Sequence, residues 1–123
     1  VPTTLQIPEE YLRALHHFQE RQGLLEAHVM QALGAEATTQ NHLAMANREL
    51  SLNIGAALAL GDMDFLGTDI EWVAGLLRNH GLPAEVLYSY LHAYRRTAGE
   101  QLDERGEPII TWLGKALNGH PPI

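Results

Sequence analysis

Apolar side chains recur at three- and four-residue intervals in four stretches of the chain, which is the spacing of one face of an α-helix. No stretch shows the strict alternation of apolar and polar residues that is typical of a β-strand. The pattern therefore predicts an all-α fold, an antiparallel bundle of four main helices plus a short C-terminal helix. The predicted stripes are Tyr11, Leu15, Phe18, Gln22, Leu25 and Val29; Leu43, Ala46, Leu50, Ile54 and Ala57; Leu66, Val73, Leu76, Leu77 and His80; and Leu87, Tyr90, Leu91, Tyr94 and Ala98.

Proline, glycine and capping residues between the stripes indicate where the helices begin and end. Pro8 suits a first helical turn, Gly34 and Gly61 suit helix C-termini, and Thr68 with Glu71 forms the pattern of a capping box. The predicted helices cover residues 8–33, 38 or 39–60, 68–80, 82–105 and 109–117, and fraying is expected over 1–7 and 118–123. The third helix begins either at Thr68 or earlier with a kink at that residue.

The composition limits the class of protein. The chain has 123 residues, which suits one domain over 1–123, and 46% of them are apolar, as in a globular protein. It has no cysteine, no apolar run of about 18 residues and no signal-peptide pattern at its start. We therefore expect a soluble, cytoplasmic helical domain.

The charge argues against polyanionic partners. The formal net charge is −7, Lys115 is the single lysine, and Arg95 with Arg96 is the single adjacent basic pair. Nucleic acids and anionic membrane surfaces are bound by clustered lysine and arginine. We expect neither as a partner, and expect instead a small apolar ligand or self-association, with a homodimer as the simplest assembly.

Seven histidines raise the question of a metal site. His17 and His28 lie about 16 Å apart along an ideal helix, so they cannot bind one ion together. We expect His16, His17 and His28 to be solvated or to flank the apolar stripe. A metal-dependent helical enzyme that uses His17, Glu20 and His28 with partners elsewhere is the least favoured hypothesis.

Four residues of helices three and four are predicted to line a ligand pocket: Trp72, His80, Tyr90 and Tyr94. His80 lies near the centre of its stripe, and the two tyrosines point inward together with Trp72 within reach. Aromatic residues with polar tips line apolar ligand pockets, although they also occur as ordinary core residues. The identity of the ligand stays open, and a tetrapyrrole is among the candidates.

The sequence lacks the common catalytic motifs. It has no Gly-x-Ser-x-Gly elbow, no phosphate-binding loop, no Gly-rich dinucleotide fingerprint and no Glu-x-x-His pair. No nucleophile stands beside a base at a useful spacing. We therefore expect a protein that is not an enzyme.

One segment resembles a known class of domain. Its features are Gly61-Asp62-Met63-Asp64-Phe65-Leu66, Trp72, Leu76-Leu77, Gly81-Leu82-Pro83 and Leu87-Tyr88-Ser89-Tyr90-Leu91. Over residues 43–117 the chain resembles the helical sensory or regulatory domain of bacterial signalling proteins, of the kind found beside cobalamin-binding modules. It departs from that pattern because it lacks the later Glu-His signature and the Rossmann-like cobalamin domain. The resemblance implies a sensory or regulatory role.

Two functions are therefore expected. The first is a non-enzymatic sensory or regulatory domain that binds a small apolar or tetrapyrrole-like ligand. The alternative is a helical dimerisation or protein-interaction module, with its seam at Gly55-Ala56-Ala57 or on helix five. Gln22 lies within an apolar stripe and needs a partner from a ligand, a neighbouring helix or a second copy.

Overall fold

The computed structural model describes residues 8–33 and 37–117. Within these residues the chain forms helices joined by short turns, so the predicted all-α bundle is confirmed. The helices are α1 Glu9–Leu33, α2 Ala37–Leu60, α3 Gly67–Asn79, α4 Ala84–Leu102 and α5 Glu107–Ala116, with 3₁₀ turns at Met63–Leu66 and Asp103–Gly106.

The four long helices form a square in cross-section. Helix α1 packs beside α2 and α4, and α3 packs beside the same two helices, so α2 and α4 are diagonally opposite. His42 near the start of α2 contacts His80 just beyond the end of α3, so these two neighbours run antiparallel. Helices α1 and α4 likewise run in opposite directions. Helix α5 packs against α4 and α1.

The predicted stripes build the core of the bundle. Most of their residues are buried, because each stripe faces the centre of the square. No helix in the described ranges combines the length and apolar character needed to cross a membrane. The largest fully buried side chains are Tyr90, Tyr94, Phe18, Leu25, Leu43, Leu50, Ile54, Leu58, Leu66, Leu77, Leu91 and Leu102.

Helix α3 begins earlier than the capping box predicts. Its first residue is Gly67, and Leu66 at the N-cap position makes no side-chain capping bond. Of the two predicted starts, at Thr68 or earlier, the structure shows the earlier one, because the preceding 3₁₀ turn runs directly into α3. That turn is itself capped by Asp62, whose carboxylate accepts the backbone N–H of Asp64 at 3.0 Å. The predicted cap at Gly34 and both predicted frayed ends lie outside the described residues.

Helix α4 ends at Leu102, three residues before the predicted end. Asp103 adopts a φ of 52°, which leaves the helical region and costs energy for a residue other than glycine. Its carboxylate accepts the backbone N–H of Arg105 and pairs with the Arg105 guanidinium at 2.9 Å, which holds the pKa of Asp103 below its usual range. At Gly106 an added Cβ would lie 2.6 Å from the Leu102 Cβ, so this close approach requires glycine.

Candidate functional site

The four predicted ligand-lining residues differ in their exposure to solvent. Tyr90 and Tyr94 are fully buried and meet edge to face, with ring centroids 6.0 Å apart. Trp72 is 48% exposed, and His80 is exposed because α3 ends at Asn79, just before it. Two of the four residues are therefore buried and two are exposed, and the shared pocket of tyrosines, tryptophan and histidine stays a prediction.

Both tyrosine hydroxyls bind polar side chains on the diagonally opposite helix α2. The Tyr90 hydroxyl donates to Asn47 Oδ1 at 2.9 Å, and the Tyr94 hydroxyl shares a hydrogen bond with Ser51 Oγ at 2.8 Å. Asn47 and Ser51 are themselves buried. These bonds cross the centre of the bundle, and they satisfy polar groups that burial would otherwise penalise.

Residues of helix α1 continue the hydrogen bonds between α2 and α4 toward the surface. Asn47 Nδ2 donates to the backbone carbonyl of Glu26 at 3.1 Å, which fixes the orientation of the Asn47 amide. The Glu26 carboxyl interacts with the side chains of Ser51 and Gln22. Gln22 thus finds a neighbour on its own helix. We call the following residues the polar cluster: Gln22, Glu26, Asn47, Ser51, Tyr90 and Tyr94.

Glu26 is the acidic residue of the polar cluster, and its pKa is shifted. Burial raises the pKa of its carboxyl above the ordinary 4.5, although hydrogen bonding from Ser51, the charge of Arg48 and hydrogen bonding from Gln22 pull it down. Its Oε1 atom is buried and has no hydrogen-bond partner among the described residues. An acceptor in this condition can take a donor from a bound molecule.

A solvent-open depression lies over Glu26 between α1 and α2. Its volume of about 460 Å³ falls within the usual size of small-molecule sites. Its walls are part apolar and part polar, and its polar groups come mainly from the polar cluster. We call it the α1–α2 groove, and its lining residues are Gln22, Glu26, Ala27, Met30, Ala44, Asn47, Arg48 and Leu52.

Of the three histidines of α1, His17 differs from expectation, whereas His16 and His28 agree with it. His17 is buried, so the prediction that it is solvated or flanking is wrong. Both of its ring nitrogens lack a hydrogen-bond partner among the described residues, and the Asp103 carboxylate lies 4.0 Å from Nε2. His28 is half-buried and its Nδ1 lies 3.2 Å from Gln101 Nε2. His16 is exposed and pairs with Glu20 at 3.5 Å.

The other candidate functional residues of the sequence do not form a common site among the described residues. In the described part of the chain, no group of three or more His, Cys, Asp or Glu side chains is placed to hold a metal ion. Trp112 lines a separate depression beside the start of α1, together with Tyr11 and Lys115. The α1–α2 groove combines apolar and polar walls with a residue, Glu26, whose Oε1 atom has no partner among the described residues.

Comparison of the chain with protein-family models, curated proteins and solved structures found no match. The resemblance of residues 43–117 to helical regulatory domains of bacterial signalling proteins stays a prediction. What the protein binds is therefore inferred from the polar cluster and the α1–α2 groove.

Proposed function

We propose that this chain is a non-enzymatic regulatory helical domain that binds a small, largely apolar molecule carrying an amine in the α1–α2 groove. The observation that carries the proposal is the Glu26 side chain, which lines the groove and whose buried Oε1 atom has no hydrogen-bond partner among the described residues. A protonated amine would donate to that atom and compensate its burial. The apolar body of the ligand would lie against Met30 and Leu52.

The residues of the groove favour this ligand class over a tetrapyrrole. Metal-containing tetrapyrroles are often held by an axial imidazole, and no histidine is among the described residues that line the groove. A carboxylic acid would meet the Glu26 carboxyl, which already carries a raised pKa because of burial. An alkylamine instead brings the opposite charge to the same position.

A route from the groove to the opposite side of the bundle supports a regulatory role. Asn47 touches Glu26 on α1 and Tyr90 on α4, and Ser51 links the same carboxyl to Tyr94. A ligand that binds Glu26 competes for these hydrogen bonds and so changes how α1, α2 and α4 pack. That change in packing is the output that an attached effector domain could sense.

Octylamine is the probe, and octanoate, which has the same chain length but an anionic head, is its counterpart. We expect octylamine to shift the backbone amide resonances of groove residues and of residues beside Tyr90 and Tyr94. Glu26→Gln should weaken octylamine binding by about tenfold, since a hydrogen bond to a charged group is lost. The measurement is a titration followed by ¹H–¹⁵N correlation spectra.

The matched control is Glu20→Gln, another glutamate on α1 whose side chain is 60% exposed. This variant should bind octylamine as the unmodified chain does. Equal binding of octanoate, equal weakening by both variants, or no resonance shift with octylamine would each contradict the proposal.

A second candidate function, self-association through α2, is favoured by one surface feature. Met45 and Leu52 are more than half exposed, and they lie seven residues apart on one outward stripe of α2. Arg48 and Glu49 flank that stripe on opposite edges. A second copy whose α2 runs alongside in the same direction would therefore set each arginine opposite a glutamate. Of the predicted seam, Ala57 is buried in the core while Ala56 is exposed.

Sedimentation velocity over a range of concentrations tests the second candidate. We expect a dimer that Met45→Glu converts to monomer, because the charge would be buried at the contact. Leu12→Glu on α1 is the control, since Leu12 is 47% exposed on another helix. A monomer at every concentration, or an equal effect of both variants, would exclude the α2 contact. Met45 lies outside the groove lining, whereas Leu52 belongs to both, so octylamine binding is measured separately on the Met45→Glu variant.

A further inference from the structure

Two histidines meet where the beginning of α2 passes the end of α3. The rings of His42 and His80 have centroids 3.9 Å apart and are inclined by 32°. The two residues are far apart in the chain, so the fold itself creates the pair. Neither residue lines the α1–α2 groove.

The two rings differ in how firmly they are held. His42 is half-buried, and its Nδ1 atom is buried with no hydrogen-bond partner among the described residues. His80 is exposed on a well-fixed backbone: its N–H donates to the Leu77 carbonyl at 3.2 Å, and Gly81 follows with a φ of 73°. The half-buried His42 ring therefore faces the exposed His80 ring, whose backbone is held by hydrogen bonds.

We propose that His42 and His80 form a two-imidazole site for a divalent transition-metal cation, with zinc as the reference ion. On a tetrahedral zinc, two imidazole nitrogens at about 2.0–2.1 Å from the metal lie about 3.4 Å from each other. The two ring centroids, each about 1.1 Å beyond its nitrogen, would then lie about 5 Å apart, so the rings must separate by about 1 Å from their present 3.9 Å. Rotation of the exposed His80 side chain allows this. Water completes the coordination.

The surroundings favour a cation at this position. The carbonyl groups of Leu77 and Arg78 accept the capping N–H groups at the C-terminal end of α3, which is the negative end of the helix dipole. The chain carries a formal net charge of −7, which adds a long-range attraction for cations. A bound ion would join α2 to α3 and stabilise the folded state by mass action.

Thermal unfolding with zinc chloride tests the site. The chain is first dialysed against EDTA, and unfolding is then followed at about 0.2 mM zinc chloride. We expect the midpoint of unfolding to rise by about 3–6 °C. His42→Gln and His80→Gln should each remove that rise, and calorimetric titration should give one zinc per chain. Because His80 is exposed, His80→Gln should fold normally, which its melting curve without zinc verifies.

His16→Gln is the control, because His16 is an exposed imidazole 3.5 Å from Glu20 and is the obvious rival metal ligand on the surface. That variant should keep the full rise in the unfolding midpoint. The proposal is overturned by an absent rise in the unmodified chain. It is overturned equally by a rise that survives both His42→Gln and His80→Gln, or by one that His16→Gln removes.

Discussion

Replacing Asn47 by alanine should lower the free energy of unfolding by about 2–4 kcal/mol, measured by urea denaturation. The Asn47 amide accepts from the Tyr90 hydroxyl and donates to the Glu26 carbonyl. Alanine leaves the Tyr90 hydroxyl without this acceptor at the centre of the bundle, and it also creates a small cavity. Both penalties act together because Asn47 is almost completely buried.

Asn53→Ala supplies the comparison for that prediction. Asn53 is half-buried on the same helix, and its amide bonds the backbone carbonyl and side chain of Glu49 one turn earlier. Its replacement should cost less than about 1 kcal/mol. A cost for Asn47→Ala that is no larger than that for Asn53→Ala would show that the bonds across the bundle contribute nothing to stability.

A double-mutant cycle isolates the hydrogen bond between the two helices. Asn47→Ala, Tyr90→Phe and the double variant should give a coupling energy of about 1 kcal/mol. Because the two residues belong to diagonally opposite helices, this coupling reports directly on the link between α2 and α4. Additive effects of the two substitutions would mean that the bond is not made in solution.

The fold could be predicted from the sequence because burial follows helical periodicity. Residues such as Phe18, Leu50 and Leu91 recur on one face of each helix, and a face of that kind must be sheltered from water by other helices. The ends of the helices were predicted less well. At Asp103 a bond between its carboxylate and the Arg105 N–H ends α4 early, and composition alone does not reveal such a turn.

The site was harder to predict because its partners come from different helices. Periodicity correctly placed Tyr90 and Tyr94 inside, but it could not say that their hydroxyls bind α2. A usable signal was present: Asn47 and Ser51 are four residues apart, the same spacing as the two tyrosines. His80 was misplaced because periodicity continues past the last helical residue, whereas the helix itself stops at Asn79.

The pH dependence of Glu26 follows from the direction of its pKa shift. Burial raises the pKa of the folded state above 4.5, so folding favours the protonated carboxyl. The contribution of Glu26 to stability is therefore complete below about pH 4.5 and is lost as the pH rises through the raised value. At neutral pH the folded protein carries a charged carboxylate in a position that disfavours charge.

Glu26→Gln should remove this penalty. The variant should be more stable than the unmodified chain at pH 7 by about 1 kcal/mol or less, since a half-buried carboxyl remains partly solvated. Urea denaturation at pH 4 should show little difference between the two proteins. The exposed Glu20→Gln should show no such pH-dependent gain.

A Glu26→Gln variant that is less stable than the unmodified chain at pH 7 would contradict the raised pKa of Glu26. An equal gain in stability at pH 4 and pH 7 would assign the effect to packing. The same variant is predicted to bind octylamine more weakly while folding more stably. Opposite effects on stability and binding are expected of a binding group, because the partly buried Glu26 carboxylate that destabilises the folded protein is the group that the amine would contact. A purely structural glutamate would give no such opposition, since its loss would lower stability and leave binding unchanged.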